Sequence, residues 1–291
     1  MVLKDHDMPN NLPDDFPNDL ATKQTSWSAS MRRIGAMILR YWFLIKSSWP
    51  RILELIYWPF LQMLTWGFLQ THLATTSDYY AQAAGLLIGS VLLWDIVVRT
   101  QLGFSLSFLE EMWSRNLGHL LMSPLRPTEL IAALMAVSLI RLAIGFLPVA
   151  FFAYAFFDFN IFGLGSAFIL FFANLAMTSW GLALATTGVV LRYGLGAEGF
   201  VWFMVFILLP ICCVYYPVST LPEWMQYIAL SLPPTYVFEG LRGILLEGVV
   251  RYDLLVRAFL LNIVVFVIGY YVFRRLLRSA RVNGSLMQMG E

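Results

Sequence analysis

The sequence predicts an all-α integral membrane protein with six transmembrane helices. Three observations carry that prediction. Of 291 residues, 59% are hydrophobic and only 13% are charged, whereas a soluble domain has about a quarter charged residues. The apolar residues gather into runs near the roughly 20 residues needed to cross a bilayer. Charged and proline-containing stretches fall between those runs. A net charge of +1 implies no polyanionic partner, and nucleic-acid binding is excluded as a function class. Cys212 and Cys213 are neighbours inside an apolar run. Adjacent helical residues point in different directions, so they are not expected to bond to each other.

Residues 1–25 are rich in Asp, Asn and Pro, a composition expected to stay disordered. They lack the basic start and apolar run of a signal peptide, so no cleavage is expected. Residues 26–48 follow as an amphipathic helix. Trp27, Met31, Ile34, Ile38, Tyr41 and Ile45 recur every three or four residues, with Arg33 and Arg40 on the other face. Such a helix lies in the membrane interface with its arginines toward lipid headgroups.

The spans are expected at about 49–69, 83–106, 130–157, 162–191, 200–216 and 254–277. Pro50 and Pro59 fall in the first, and the short fifth contains Pro210. Gly163, Gly165, Gly181 and Gly188, on the fourth, permit close helix packing, within one subunit or between two. Arginine and lysine set the orientation. Arg32, Arg33, Arg40, Lys46, Arg51, Arg115, Arg126, Arg192, Arg274, Arg275 and Arg278 all fall on one side if the N-terminus is cytoplasmic. Both termini are therefore expected in the cytoplasm.

Between spans two and three, residues 106–130 carry Glu110, Glu111, Arg115, His119, Arg126 and Glu129 among apolar residues at helical spacing. Ser123-Pro124 and Arg126-Pro127 stop the pattern. The expectation is an amphipathic helix that docks a partner: Leu117, Leu120 and Leu121 fill an apolar groove, Glu111 and Arg115 set register at its rim, and Gly118 admits the partner's backbone. An ordinary solvated loop helix is the plainer alternative.

Between spans five and six, residues 217–253 are too broken by Pro222, Pro233 and Pro234 to span, and too apolar for a free loop. Two short helices dipping into the outer leaflet are expected, at about 222–230 and 234–246, forming an outer gate or a lid packed for stability. Glu239 and Arg242, three apart, share a face there.

Asp95, Arg99 and Arg141 are intramembrane charges, each costly in lipid. Asp95 and Arg141 lie at similar distances from the loop between their spans, so they are expected to pair. Asp95 with Arg99, at i,i+4, is the competing pair. The pattern leaves structural pairing and direct handling of substrate or ions both open. No catalytic residue and no metal ligand is assigned: His6, His72 and His119 share no ligand spacing, and no H-E-x-x-H, G-x-S-x-G or phosphate-cradling G-x-x-x-x-G-K occurs. If the chain transports anything actively, the energy must come from a partner or an ion gradient. No internal repeat is evident.

This plan resembles the membrane subunit of ABC-2 type exporters, the ATP-binding-cassette permeases. The resemblance covers nearly everything after the tail. Glu110, Glu111, Arg115, Gly118, Leu120, Leu121, Ser123, Pro124, Pro127 and Glu129 match the family's charged stretch before span three. Leu221, Pro222 and Trp224, then Pro233, Pro234, Tyr236, Glu239 and Arg242, match its outer pattern. Where the family often has G-T-L-E, this chain has Gly118-His119-Leu120-Leu121 and lacks the acidic group. The resemblance implies a homodimer in the bacterial inner membrane, each copy docking one separate ABC ATPase through Glu110, Glu111, Arg115, Leu117, Gly118, Leu120 and Leu121. ATP and magnesium would sit on that ATPase, and this chain would bind no cofactor. Leu221, Pro222, Trp224, Pro233, Pro234, Glu239 and Arg242 would form the exit gate. A lipid, a glycan or an amphipathic drug-like molecule would be exported. The alternatives are an ion-coupled secondary carrier and an integral membrane enzyme acting on lipids.

Overall fold

A computed structural model describes residues 27–76 and 85–282; the tail expected at 1–25 lies outside them. Among the described residues the chain is α-helical with short 3-10 turns and no strand. The helices are α1 (Trp27–Lys46), α2 (Trp49–Thr76), α3 (Leu86–Trp113), α4 (Leu117–Met122), α5 (Pro127–Phe157), α6 (Ser166–Tyr193), α7 (Gly199–Ile211), α8 (Glu223–Leu230), α9 (Pro233–Glu247) and α10 (Tyr252–Val282).

Helices α2, α3, α5, α6 and α10 are long and apolar enough to cross a membrane. The expected fifth span differs. α7 has 13 residues, about 20 Å at 1.5 Å per residue, against about 30 Å of hydrocarbon. Its sequence explains the shortening. Pro210 removes a donor from the last turn, and Cys213 takes a left-handed φ of 54°, which ends the helix before Pro217.

α3 is the axis of the bundle. It is buried around nearly its whole circumference from Leu86 to Val97 and again from Phe104 to Met112, because α2, α5, α6, α7 and α9 all pack on it. One apolar core gathers Leu92, Trp94, Phe146, Phe171 and Phe238; a second, at the end where α1 lies, gathers Tyr41, Phe104, Phe108, Met112, Leu134 and Phe273. That end, which also carries Arg33, Arg40, Arg51 and Arg192, is called the arginine-rich end below.

α6 and α10 make the closest helix pair. A side chain at Gly269 would collide with the Gly181 carbonyl, and one at Gly188 would sit 3.1 Å from the Phe273 Cα. Two backbones approach this closely only without Cβ atoms. Gly181 and Gly188 thus serve packing inside one subunit, whereas Gly163 and Gly165 fall in the turn before α6. The pair is also hydrogen-bonded: Asn262 donates to the Asn174 carbonyl and side chain at 3.0 and 2.9 Å, and Thr178 donates to Asn262 at 2.6 Å.

Candidate functional site

At the arginine-rich end, helix α3 continues past the expected boundary at 106 to Trp113. Glu110 and Glu111 therefore belong to a long helix rather than to a docking helix. The chain reverses at Arg115, whose φ is 54°, and forms the six-residue α4. After four intervening residues Pro127 opens α5, where Glu129 closes a capping box with Arg126.

All three carboxylates of this stretch turn back into their own chain. Glu129 accepts two bonds from the Arg33 guanidinium at 2.8 and 2.6 Å, and one from Ser30 at 2.7 Å. The bond to Glu129 raises the Arg33 pKa above its ordinary value. Glu111, 1% exposed, accepts from Arg40 at 2.9 Å and from Asn116 at 2.7 Å. Tyr41 packs beside it, and burial, then the Glu111 charge, raises the pKa of its hydroxyl. Glu110 accepts from Arg141 and lies 3.6 Å from Arg51. The sequence reading sent Arg33 and Arg40 to lipid headgroups and Glu111 to a docking rim. The structure instead spends them in a clamp that fastens α1 to both ends of the α3–α5 connection, because two buried carboxylates need cations more than water-bathed headgroups do.

The apolar stripe of α4 is also redirected. Leu117 is 1% exposed and Leu120 9%, both inside the core of the arginine-rich end. They anchor α4 to its own chain and present no open stripe. The side chain of Leu121 lies outside what the structure describes. Exposed instead are Arg115, His119 and Met122, and a side chain built at Gly118 meets nothing within 4 Å. Trp113, half-exposed, donates to Glu198 at 3.0 Å and ties this corner to the turn before α7.

Within the membrane region Asp95 does not reach Arg141. It accepts from Arg99 at 2.9 Å on the same helix, the competing pair.

At the opposite end, the broken segment is organised by Arg242 and Glu239 on α9. Arg242, 5% exposed, donates to the carbonyls of Cys213 and Tyr216, and Glu239 accepts from the Val218 backbone N–H at 2.8 Å. The two side chains lie 3.5 Å apart. Backbone groups freed where α7 stops thus find partners, as buried polar groups require. Pro233 and Pro234 are buried at the start of α9, where missing N–H groups cost nothing. Pro222, just before α8, and Trp224, on it, are exposed, and Leu221 is half-buried. The sequence paired Glu239 with Arg242 but missed the Cys213 and Tyr216 carbonyls, for which it carries no signal.

The described chain is a multi-pass helical bundle in which the short α4 joins α3 and α5, the second and third of its long apolar helices. The chain matches the family model of the ABC-2 type transporters over residues 33–246, and it belongs to that family. It is a membrane-spanning permease subunit of an ABC transporter, a family that works with an ABC ATPase in a separate protein. No curated protein matches the chain.

Proposed function

We propose that the chain is the permease of a homodimeric ABC exporter, docking its ATPase at the arginine-rich end through the exposed edge of α4. The positive-inside distribution of arginine and lysine supports an orientation with that end and both termini on the cytoplasmic side, and the family resemblance supports a bacterial inner membrane. The single observation that carries the reading is the way α4 is mounted. Leu117 and Leu120 bury one side of it, and Asn116 at its start bonds to Glu111, while Arg115, Gly118, His119 and Met122 stay open. A push on the open edge therefore moves α3 and α5 as well, so nucleotide binding on a partner can bias which side of the membrane is open. Gly118 lets the partner's backbone approach, and Met122 is the apolar anchor. The α8–α9 segment, held by Arg242 and Glu239, is the exit gate. ATP and magnesium belong to the ATPase.

The test is co-purification from native membranes with an ATPase identified by its Walker A peptide, followed by ATP-driven transport in inverted vesicles. Stoichiometric recovery and ATP-dependent accumulation support the reading. Recovery of this chain alone, with transport driven by a proton gradient, would favour a secondary carrier and overturn it.

A further inference from the structure

At the arginine-rich end, Arg33, Arg40, Arg51 and Arg141 are taken by carboxylates of their own chain. Helix α10 is different. It ends there, with Phe273 and Leu277 in the core of that end, and leaves Arg274, Arg275 and Arg278 exposed. Among the described residues none of these three has a carboxylate partner; Arg274 lies over the Tyr270 ring, 6.0 Å from its centroid. The helices packed on α10 include α6 and α9. α6 carries no acidic residue and adds Arg192, which donates to Ser279 at 2.9 Å. The carboxylates of α9, Glu239 and Glu247, lie at the opposite end. At about 100° per residue, the three arginines fall within about 100° of one another. They sit inside the same arc of α10 that exposes Leu260, Ile263, Val264, Val267, Ile268 and Tyr271. The one amide of the span, Asn262, is buried against α6, so this arc is the lipid-facing side. Farther up the same arc stands Arg257, also exposed. From Arg257 to Arg274 the helix rises about 25 Å at 1.5 Å per residue, close to the roughly 30 Å of a hydrocarbon core. Arg257 and Arg274 therefore mark the two headgroup levels.

We propose that Arg274, Arg275 and Arg278 bind the phosphate of an anionic phospholipid in the leaflet at the arginine-rich end, its acyl chains lying along the stripe from Val264 to Tyr271. This site does not depend on the export reading above. Guanidinium groups take phosphate oxygens in bidentate pairs, and basic clusters at the end of a span select anionic over zwitterionic lipids. A zwitterionic headgroup brings its own cation against the three arginines, whereas an anionic one brings none. An acidic protein surface would match the charge, but the same arc faces hydrocarbon one turn earlier, and a phospholipid supplies both the anion and the chains. Phe273, next to Arg274, packs on Gly188, so a lipid held here is fastened to the closest helix pair of the fold.

The experiment uses the full-length chain, with any protein that co-purifies, in detergent micelles. The probes are a fluorescent phosphatidylglycerol and a phosphatidylcholine with the same acyl chains. At low salt the unsubstituted protein should hold phosphatidylglycerol several-fold more tightly, and the preference should shrink as salt screens the arginines. Arg274→Gln/Arg278→Gln should abolish it. Arg32→Gln/Lys46→Gln removes two exposed charges from α1 at the same end and should leave it in place. Four outcomes overturn the proposal. Equal loss in both double variants marks diffuse surface charge. A preference that is absent, or that salt leaves unchanged, removes the electrostatic site, and this reading needs no variant to fold. Displacement of the lipid by soluble glycerophosphoglycerol at equal concentration marks a site for free phosphate esters. An intact lipid preference in a monodisperse Arg274→Gln/Arg278→Gln variant that has lost a co-purifying protein assigns the arginines to that protein.

Discussion

Arg141 donates from one terminal nitrogen to both carboxylate oxygens of Glu110, at 3.0 and 2.9 Å. The direction of side chains on a helix explains why it passes over Asp95. Every Cα–Cβ bond tilts toward the helix N-terminus. α5 starts at the arginine-rich end, so Arg141 reaches toward that end. α3 runs the other way, so Glu110 reaches back toward mid-membrane and meets it. The same tilt lays Arg99 onto Asp95, one turn earlier on α3.

Removing either member of the Glu110–Arg141 pair leaves the other charge poorly compensated in a largely dry site. Side-chain exposures are 17% and 8%. Glu110→Gln and Arg141→Gln should each lower stability, with about 3–5 kcal/mol as the ceiling for a fully buried pair; Arg51, 3.6 Å from Glu110, cushions the loss of Arg141. The swap Glu110→Arg/Arg141→Glu should recover part of it. Thermal unfolding of purified protein reads this. Asp95→Asn combined with Arg141→Gln should be additive, and strong coupling between those two would contradict the pairing.

The clamp on α1 predicts a second effect. Arg40→Ala leaves the buried Glu111 with Asn116 alone, and Arg33→Ala strips Glu129 of its bidentate partner. Each should raise amide hydrogen exchange along α1 while α6 and α10 stay protected. Unchanged exchange in α1 for the double variant would show that apolar contacts of Met37, Tyr41 and Ile45 hold the helix by themselves.

Gly269→Ala and Gly181→Ala place a methyl group against backbone, the latter 2.9 Å from Val265 Cγ1 and 3.1 Å from its backbone. Overpacking of this kind costs about 1–3 kcal/mol. Both variants should show reduced monodispersity and a lower melting temperature, and Gly196→Ala, where nothing lies within 4 Å, should not.

At the proposed gate, Arg242→Ala abandons the carbonyls of Cys213 and Tyr216, while Glu239→Gln keeps an acceptor for the Val218 N–H. Transport should therefore fall steeply in Arg242→Ala and Glu239→Ala and mildly in Glu239→Gln, with ATPase recovery intact in all three. Equal losses in Glu239→Ala and Glu239→Gln would mean that charge, not backbone capping, is what Glu239 supplies.

The helices of this fold were legible because lipid imposes one simple demand, a long apolar run. Boundaries of α1, α5, α8 and α9 fell within a few residues of those read from periodicity and prolines. The end of α3 was misplaced because Glu110 and Glu111 look like loop residues until their cations, Arg141 and Arg40, arrive from elsewhere in the sequence. The stripe of Leu117 and Leu120 was correctly read as apolar and wrongly expected to be open, since periodicity shows that a face is covered but not by what. The end of α7 was expected at 216, because the apolar run continues past Pro210; the helix stops at Ile211, and the Arg242 bonds that make the break tolerable go to main-chain atoms and leave no mark on composition.

In the proposed mechanism α4 docks an ATPase by its open edge and holds its own chain by its leucines. The most direct measurement is recovery of the ABC ATPase with Gly118→Trp and Met122→Asp, set against Leu117→Asp, each scored for ATPase bound and for a monodisperse permease. Gly118→Trp and Met122→Asp should lose the ATPase while the permease remains monodisperse, and Leu117→Asp should destabilise the permease itself. Full ATPase recovery by both edge variants, or a well-folded Leu117→Asp permease that alone loses the ATPase, would contradict it.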